Sequence, residues 1–429
     1  MANVTQSFAD YLFDKASGIS EAIHTKAELC KLDTLAVTAA GAAKNRARWE
    51  PLLKRLPSGS AELLSYGIRT DGKTAALING FNAHALELDD GQRFAMIHLG
   101  ASVVPAVKAA ADEYGIDERA FRLGIIMGYE AACRLAVCMQ PSHKNRGFHT
   151  AGTCGTVGSA VGVAFALGMN REQLERVLCC AADSAAGMLE IQEQGSELKP
   201  YNLGRAAMDG LTAAYMGLTD FACPDDLLGG ERGFFRTYSD QWDPEKLWTR
   251  TAYFEIERIY VKPYASCRHS HSAVEAAIRL HEELDPAQIE SVSVRTYRLG
   301  VKGHDHREIR GIASAKLSTP YAVAAGLLYG RADLSVFEPL DEAILALAEK
   351  VSVAEDAALT AESPKKRAAI VTVRMKDGSE GSRRVDYARG DPENPMSPEE
   401  IEEKRKMLLA YAESMAKQRD HGNTEGGLL

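Results

Sequence analysis

The chain has 429 residues, of which 45% are hydrophobic and 25% are charged, and its formal net charge is −9. This composition predicts a globular protein of about two domains and excludes nucleic-acid binding through a general basic surface. No secretion signal, no run of about 18 uncharged apolar residues and no C-x-x-C pair among the eight cysteines are present, so we expect a cytoplasmic protein with free thiols that does not span a membrane.

The first 261 residues predict one helix after another. Several segments combine helical spacing of apolar positions with many Ala, Leu, Val and Gly residues: 34–43, 84–88, 101–114, 121–138, 154–167, 173–189 and 205–218. Some of these segments carry too few polar residues for a surface helix. We therefore expect a large helical domain with an inner layer of closely packed helices.

The pattern changes after about Tyr260. Residues 289–297 alternate as a strand does, residues 369–375 predict a second strand, and residues 382–387 can return as a third. Helices are predicted between them at 270–283 and 319–329, and a last helix begins near Ser397 and Pro398. The predicted fold class is mainly α: an all-helical domain of residues 1–261 and 398–429, and a smaller α+β domain of residues 262–397.

Two histidines stand in segments that can support proton transfer. Glu87 and Asp90 precede a loop that ends at His98, which can supply an acid/base pair or merely form a solvated helix end. His149 precedes a run of Gly, Thr, Ser and Ala that lets the backbone approach a ligand closely. The alternative is that His149 only caps the helix that follows it.

Two further segments carry cations that can bind an anion. Lys199 lies just before an Ala-rich helix, whose N-terminus favours negative charge, although it can also be a surface lysine. The segment 262–271 holds Lys262, Cys267, Arg268, His269 and His271. The last two histidines and the thiol can suggest a metal site, but no second Cys/His pair matches zinc-ligand spacing, so we expect anion binding or acid/base chemistry and no metal.

Six segments, taken in order, resemble the MmgE/PrpD family over nearly the whole chain. They are Asn82–Asp90, Gly147–Thr153, Lys199–Ala207, Lys262–Tyr264, Ser318–Ala324 and Gly390–Met396. The resemblance implies a large helical domain with a smaller α+β lid domain, a site between them, a homodimer, and neither an iron–sulfur cluster nor a required metal or other cofactor.

By position, the resemblance also implies the site residues. These are His98, His149, Lys199, Lys262 and Tyr321, which we expect to be catalytic. We further expect Glu87, Asp90, Cys267, Arg268 and His271 to bind the substrate. Cys267 stands where the decarboxylase-like members have His, and Glu87 where they have Asp. Gly91 replaces an expected Thr, Leu99 an expected Pro, and the loop from Asp90 to His98 is one residue longer. These departures count against cis-aconitate and 2-methylcitrate as the substrate.

The shared chemistry implied by the resemblance is the handling of a proton on a carbon next to a carboxylate. Lys199, Lys262 and Arg268 are expected to hold carboxylates, because cations in a water-poor cleft stabilise an enediolate. One of His98 and His149 is expected to act as the base and the other as the acid, in an order that the sequence does not give. Tyr321 is expected to act as a proton donor or orienting group.

We expect a cofactor-independent lyase that removes water or carbon dioxide from a small di- or tricarboxylic acid. An epimerase of a small dicarboxylate is the alternative, and a catalytically idle binding protein is a third.

Overall fold

The larger domain consists of helices with one short hairpin. The computed structural model describes residues 3–425, apart from the side chains of residues 193–195 and 418–425. The helices are α1 (Val4–Ala16), α2 (Glu21–Leu53), α3 (Gly72–His84), α4 (Gly100–Tyr114), α5 (Glu118–Met139), α6 (Ser142–Asn145), α7 (Thr150–Ala166), α8 (Arg171–Ser184), α9 (Lys199–Gly217), α10 (Phe234–Tyr238) and α11 (Glu245–Trp248). The hairpin pairs β1 (Ala61–Leu63) with β2 (Ile68–Thr70).

Helix α7 forms the inner layer that the sequence predicts. All 17 of its residues are buried, and it packs against α4, α5, α8 and α9. The close approach depends on small residues: a Cβ atom on Gly158 would lie 2.7 Å from the carbonyl oxygen of Gly128 in α5. The run of small residues after His149 is thus explained by helix packing, and the histidine itself requires a separate explanation.

The smaller domain packs helices on one mixed sheet. Its elements are α12 (His271–His281), β3 (Ile289–Thr296), α13 (Ile312–Leu317), α14 (Thr319–Tyr329), α15 (Glu342–Ala348), β4 (Val351–Glu355), α16 (Ala357–Glu362), β5 (Ala369–Met375) and β6 (Glu380–Val385). The strand order is β4-β3-β5-β6, in which β3 and β4 run parallel and the other pairs antiparallel. The predicted fold class is confirmed.

Three local predictions differ from the structure. Residues 84–88 were predicted as helix, but α3 ends at His84 and Glu87 has a φ of 56°. The helix predicted for 173–189 ends at Ser184. The short strand β4 was not predicted, because five residues at the edge of a sheet give almost no periodic signal.

The last helix, α17 (Pro398–Glu425), packs along α2 as the sequence suggests. Its Leu408 nevertheless lies in the hydrophobic core of the smaller domain, beside Ala36 and Val37 of α2. The predicted domain boundaries at 262 and 397 therefore stay predictions, and residues 426–429 of the predicted helical domain lie outside the described residues. Within the described part of the chain, no helix combines the length and the apolar character needed to cross a membrane.

Candidate active site

One cavity brings together residues from both domains that lie far apart in the sequence. Its volume is about 80 Å³, several times the space that one water molecule needs, so it suits a small ligand. Of the predicted site residues, His98, His149, Lys199, Cys267 and Arg268 line it. It is also lined by Met96, Ile97, Lys144, Phe148, Thr150, Leu189, Gln192, Tyr260, His269, His304 and Arg367.

His98 presents a lone pair to the cavity. Its Nδ1 lies 2.8 Å from the backbone carbonyl oxygen of Asp90 and 3.4 Å from Oδ2 of Asp89. A carbonyl oxygen only accepts, so Nδ1 carries the proton and Nε2 is the acceptor in the neutral ring. Burial lowers the pKa of His98 to about 3. The ring is therefore neutral at physiological pH, with its Nε2 unprotonated.

His149 has the opposite tautomer. It begins α7, but its side chain makes no capping bond, so the capping interpretation of this residue does not hold. Instead, the Asn202 side-chain amide donates to Nδ1 of His149 at 3.0 Å. With Nδ1 as acceptor, the proton of the neutral ring is on Nε2. Burial, and then the nearby Lys199, hold the pKa of His149 well below its usual value.

Glu87 is the centre of a cluster of buried charges behind the cavity. Its φ of 56° places this residue in the left-handed region that non-glycine residues rarely occupy. Oε1 of Glu87 accepts a short hydrogen bond from Lys199, and Oε2 accepts one from Lys262 at 2.9 Å. Burial alone would raise the pKa of Glu87, but Lys199 and then Lys262 hold it well below its usual value.

Lys262 is buried behind Glu87 and does not line the cavity. Its side chain is 0% exposed, and its ammonium also donates to the Glu87 backbone oxygen at 3.1 Å. The sequence suggested that Lys262 binds a substrate carboxylate directly. The structure instead places Lys262 where it fixes Glu87, and Glu87 in turn fixes Lys199 at the cavity wall.

His84 and Asp89 complete this cluster, and neither is among the predicted site residues. His84 Nδ1 donates to Asp89 Oδ2 at 2.8 Å, and His84 Nε2 lies 3.3 Å from Glu87 Oε1. Burial alone would lower the pKa of His84, but Asp89 and Glu87 raise it. Two lysines balance two carboxylates here, so a protonated His84 leaves the cluster positive and favours an anion in the cavity.

The same residues form a set of potential metal ligands. Ligand atoms of His84, Asp89 and His98 lie within 4.8 Å of one another. However, Nδ1 of both histidines carries a proton toward an acceptor, and Lys262 Nζ lies 3.9 Å from Asp89 Oδ1. The set therefore fits a hydrogen-bonded charge cluster better than it fits a cation.

Asp90 lies beneath the loop that carries His98. Its Oδ2 accepts a hydrogen bond from the Tyr129 hydroxyl at 2.7 Å, and its Oδ1 accepts one from the Gly100 N–H at 2.8 Å, at the start of α4. Burial raises the pKa of the Asp90 carboxyl to about 6. Asp90 thus anchors the loop and does not line the cavity.

Gly91 and Tyr260 determine the shape of this loop. Their backbones pair, with the Tyr260 N–H donating to the Gly91 carbonyl at 2.9 Å. A Cβ atom on Gly91 would collide with the Tyr260 hydroxyl and would lie 2.8 Å from the Ile97 carbonyl oxygen. The absence of a side chain at position 91, a departure noted in the sequence, is thus required by the adjacent cavity residue Tyr260.

Cys267 pairs with His304, which is not among the predicted site residues. Cys267 Sγ lies 3.9 Å from His304 Nε2, and His304 Nδ1 donates to the Leu317 carbonyl oxygen at 3.0 Å. Burial alone would raise the pKa of Cys267, but His304 lowers it to about 6. Conversely, Cys267 raises the pKa of His304 against the effect of burial.

Three predicted site residues bind other protein groups in the structure. Arg268 reaches the cavity, but its guanidinium pairs with Asp391 at 2.6 Å and with Nδ1 of His271 at 2.9 Å. His271 is fully buried and lies outside the cavity lining. The Tyr321 hydroxyl donates to the Val336 carbonyl at 3.1 Å in the core of the smaller domain. The structure thus does not bring His271 and Tyr321 to the cavity.

Two cations that line the cavity were missed. Lys144 is half-buried, and its ammonium has neither a hydrogen bond nor an ion pair with any described residue. Burial lowers its pKa. Arg367 is 9% exposed, and its guanidinium donates to the Arg93 carbonyl at 3.0 Å without a carboxylate partner among the described residues. Lys144 lies in the polar run 143–146, which gave no signal beyond that of a surface turn.

Family models match both parts of the chain. The MmgE/PrpD N-terminal domain matches residues 6–247, and the MmgE/PrpD C-terminal domain matches residues 264–425. The chain belongs to the MmgE/PrpD family. The resemblance carried by the six sequence segments is thereby confirmed.

Members of the MmgE/PrpD family with assigned activities are similar to this chain over much of its length. The cis-aconitate decarboxylase of Aspergillus terreus is 26% identical over 82% of this chain and 77% of its own. The human cis-aconitate decarboxylase is 22% identical over 94% and 87%. The 2-methylcitrate dehydratase of Escherichia coli is 28% identical over 52% and 50%. These relatives support a lyase-type enzyme of small carboxylic acids.

Proposed function

We propose that this protein is a cofactor-independent lyase that removes water or carbon dioxide from a small di- or tricarboxylic acid. The observation that carries the proposal is the pair of complementary histidines. His98 offers a lone pair, and His149 offers an N–H, at the wall of one cavity that also holds cations.

The cations suit a substrate with more than one carboxylate. Lys199 lies beside the paired Glu87, whereas Lys144 and Arg367 lack a carboxylate partner in the described part of the chain. A substrate carboxylate near Lys144 would offset the cost of burying that ammonium. A second carboxylate near Lys199 would gain a charge-assisted hydrogen bond.

The two histidines then divide the chemistry. His98 Nε2 removes the proton from the carbon next to a carboxylate, and Asp89 stabilises the imidazolium that forms. His149 Nε2–H donates to the oxygen that gains negative charge, as a neutral imidazole can do in a buried site. Lys199 holds the carboxylate that becomes the enediolate.

An epimerase is the second candidate, because proton-transfer groups line the cavity from both domains. His98 and His149 belong to the helical domain, whereas Cys267 and His304 belong to the smaller domain. An epimerase needs groups on two faces of one carbon, whereas a dehydratase needs one of them aimed at a leaving hydroxyl. A binding protein without catalytic activity would need no proton-transfer groups in the cavity.

NMR spectroscopy in deuterated water separates the three functions. L-malate, D-malate, citrate and cis-aconitate are each incubated with the protein, with and without EDTA. A lyase gives new products, an epimerase exchanges one carbon-bound hydrogen without net loss, and a binding protein gives neither. We expect new products that are unaffected by EDTA. Loss of activity in EDTA, restored by a divalent ion, would assign His84, Asp89 and His98 to a metal.

We further propose that the active form is a homodimer, as the family resemblance implies. The sequence argument that inner helices are too apolar for a monomer does not support this, because α7 is buried within one chain. Large apolar side chains are nevertheless exposed at Tyr114, Met216 and Leu218. Sedimentation at assay concentration should give twice the mass of 46.5 kDa, and a fully active monomer would contradict the proposal.

A further inference from the structure

We propose that Cys267 and His304 form a thiolate–imidazolium pair that acts as a second proton-transfer group, in the cavity that His98 also lines. This inference rests on the proposed function for its catalytic role, but the charge state of the pair can be tested without any substrate. Cys267 stands at one of the positions where this chain departs from the decarboxylase-like pattern, and the inference gives that difference a catalytic role.

The geometry of His304 defines its part in the pair. Its Nδ1–H is directed at the Leu317 carbonyl oxygen, 3.0 Å away, so Nε2 is the atom that faces Cys267 Sγ at 3.9 Å. A proton that moves from sulfur to Nε2 leaves an imidazolium with a fixed acceptor on its other side. Both side chains line the cavity, so the sulfur can reach a bound ligand.

The backbone around Cys267 also favours a thiolate. Cys267 directly precedes a 3-10 turn (Arg268–Ser270) that continues into α12, so the sulfur lies at the N-terminus of one helical run. Positive partial charge at a helix N-terminus stabilises a thiolate. The Cys267 N–H is held by the Lys316 carbonyl at 2.8 Å, which fixes the position of the residue.

The other charged and titratable groups around the sulfur are mostly cations. Those that act on Cys267 from the surrounding elements are His304, Lys199, Lys262, Lys144, Arg367, Glu87, Tyr260 and Tyr297. Glu87 is the carboxylate of this group, and two lysines already neutralise it. The surroundings therefore favour an anion at Sγ.

The chemical step needs no co-reactant. The thiolate takes a hydrogen from the carbon next to a carboxylate as a proton, so the C–H bond breaks and an S–H bond forms. The C–H electron pair moves into the carboxylate to give an enediolate, which Lys199 stabilises, while His304 keeps its proton. Return of the proton from sulfur reverses the step, and in deuterated water it introduces deuterium into the acid.

The first test measures the charge state by alkylation with iodoacetamide from pH 5 to 9, followed by mass spectrometry of each cysteine. Cys180 is the internal control, because it is more exposed than Cys267 and burial raises its pKa. At pH 6.5 we expect Cys267 to react at least about tenfold faster than Cys180, since the thiolate is the nucleophile. In His304→Gln the midpoint should move to about 8.5 or above.

The second test measures the role, with the same four acids in deuterated water. Both variants are made in a His98→Gln background, so that exchange through His98 is removed. Cys267→Ser should then lose the remaining deuterium incorporation by about 10²–10⁴-fold, while Cys180→Ser should keep it. Ordinary alkylation of Cys267, or full exchange in Cys267→Ser, would overturn the inference and leave the lyase proposal standing. If the wild-type protein acts on none of the acids, the proposed function and this catalytic role both fail. The alkylation profile then still shows whether Cys267 and His304 form a thiolate–imidazolium pair.

Discussion

The cavity lies between two groups of charges that differ in how they are satisfied. In the paired cluster (His84, Glu87, Asp89, Lys199 and Lys262), each carboxylate meets at least one cation. On the open wall (Lys144, Arg367, Cys267 and His304), the cations have no carboxylate partner among the described residues. The difference indicates that the cluster is preorganised by the protein, whereas the open wall is completed by a ligand.

The largest expected loss of turnover is at His98, which contacts the paired cluster through Asp89. His98→Gln should slow the chemical step by about 10²–10⁴-fold, the usual contribution of a general base. Substrate affinity should change little, because the loss falls on the transition state. Turnover, inhibitor affinity and melting temperature are measured on one sample. A destabilised variant with near-native turnover would remove His98 from the mechanism.

His149 distinguishes hydrogen-bond donation from proton transfer. His149→Ala should reduce turnover by about 10²–10³-fold, the usual cost of losing a donor to an oxyanion. In His149→Gln the side chain can still donate, so part of this loss should be restored. Equal losses in the two variants would instead identify His149 as a proton-transfer group. His143→Gln is a suitable control, since this nearby histidine is buried and bonded to Thr153 at 2.9 Å.

Lys199 and Lys144 test the two groups of charges directly. Each change to Ala should weaken binding of a carboxylate inhibitor by roughly 1.5–3 kcal/mol, or about 10- to 150-fold. Their effects on stability should differ. Lys199→Ala takes one partner from buried Glu87 and should lower the melting temperature, whereas Lys144→Ala removes an unpaired ammonium and should not. Unchanged affinity for the carboxylate inhibitor in both variants would show that neither lysine binds the carboxylate.

Asp90 should have the smallest effect on turnover, because its contribution appears in stability only. Its raised pKa of about 6 means that between about pH 4 and 6 the folded protein binds a proton that the unfolded chain has lost. The contribution of this carboxyl to the free energy of unfolding therefore falls as pH rises through that window. Asp90→Asn cannot ionise, so its stability relative to the wild type should improve by up to about 3 kcal/mol from pH 4 to 7. A constant difference would contradict this.

The sequence was sufficient to predict helices and strands whose buried residues recur at a regular spacing. The run of small residues in α7 predicts an inner helix, and the alternation in β3 predicts a half-buried strand. Three predicted site residues, His98, His149 and Lys199, line one cavity, and their catalytic roles stay predictions.

The rest of the site depends on three-dimensional contacts that no local pattern records. The left-handed conformation of Glu87 ends α3 early, although the residues themselves suit a helix. Lys262 and Tyr321 lie in segments typical of the family, yet one lies behind Glu87 and the other in the core of the smaller domain. Lys144 and His304 acquire their roles only from neighbours more than 30 residues away.

The contact between Gly91 and Tyr260 couples the loop that carries His98 to the segment that carries Tyr260. A side chain at position 91 collides with the Tyr260 hydroxyl and with the Ile97 carbonyl oxygen. Exchange of Gly91 alone should therefore give a poorly folded protein. A larger residue at position 91 calls for coupled replacement of Tyr260 and a shift of the backbone at Ile97, so changes at these positions should not be additive.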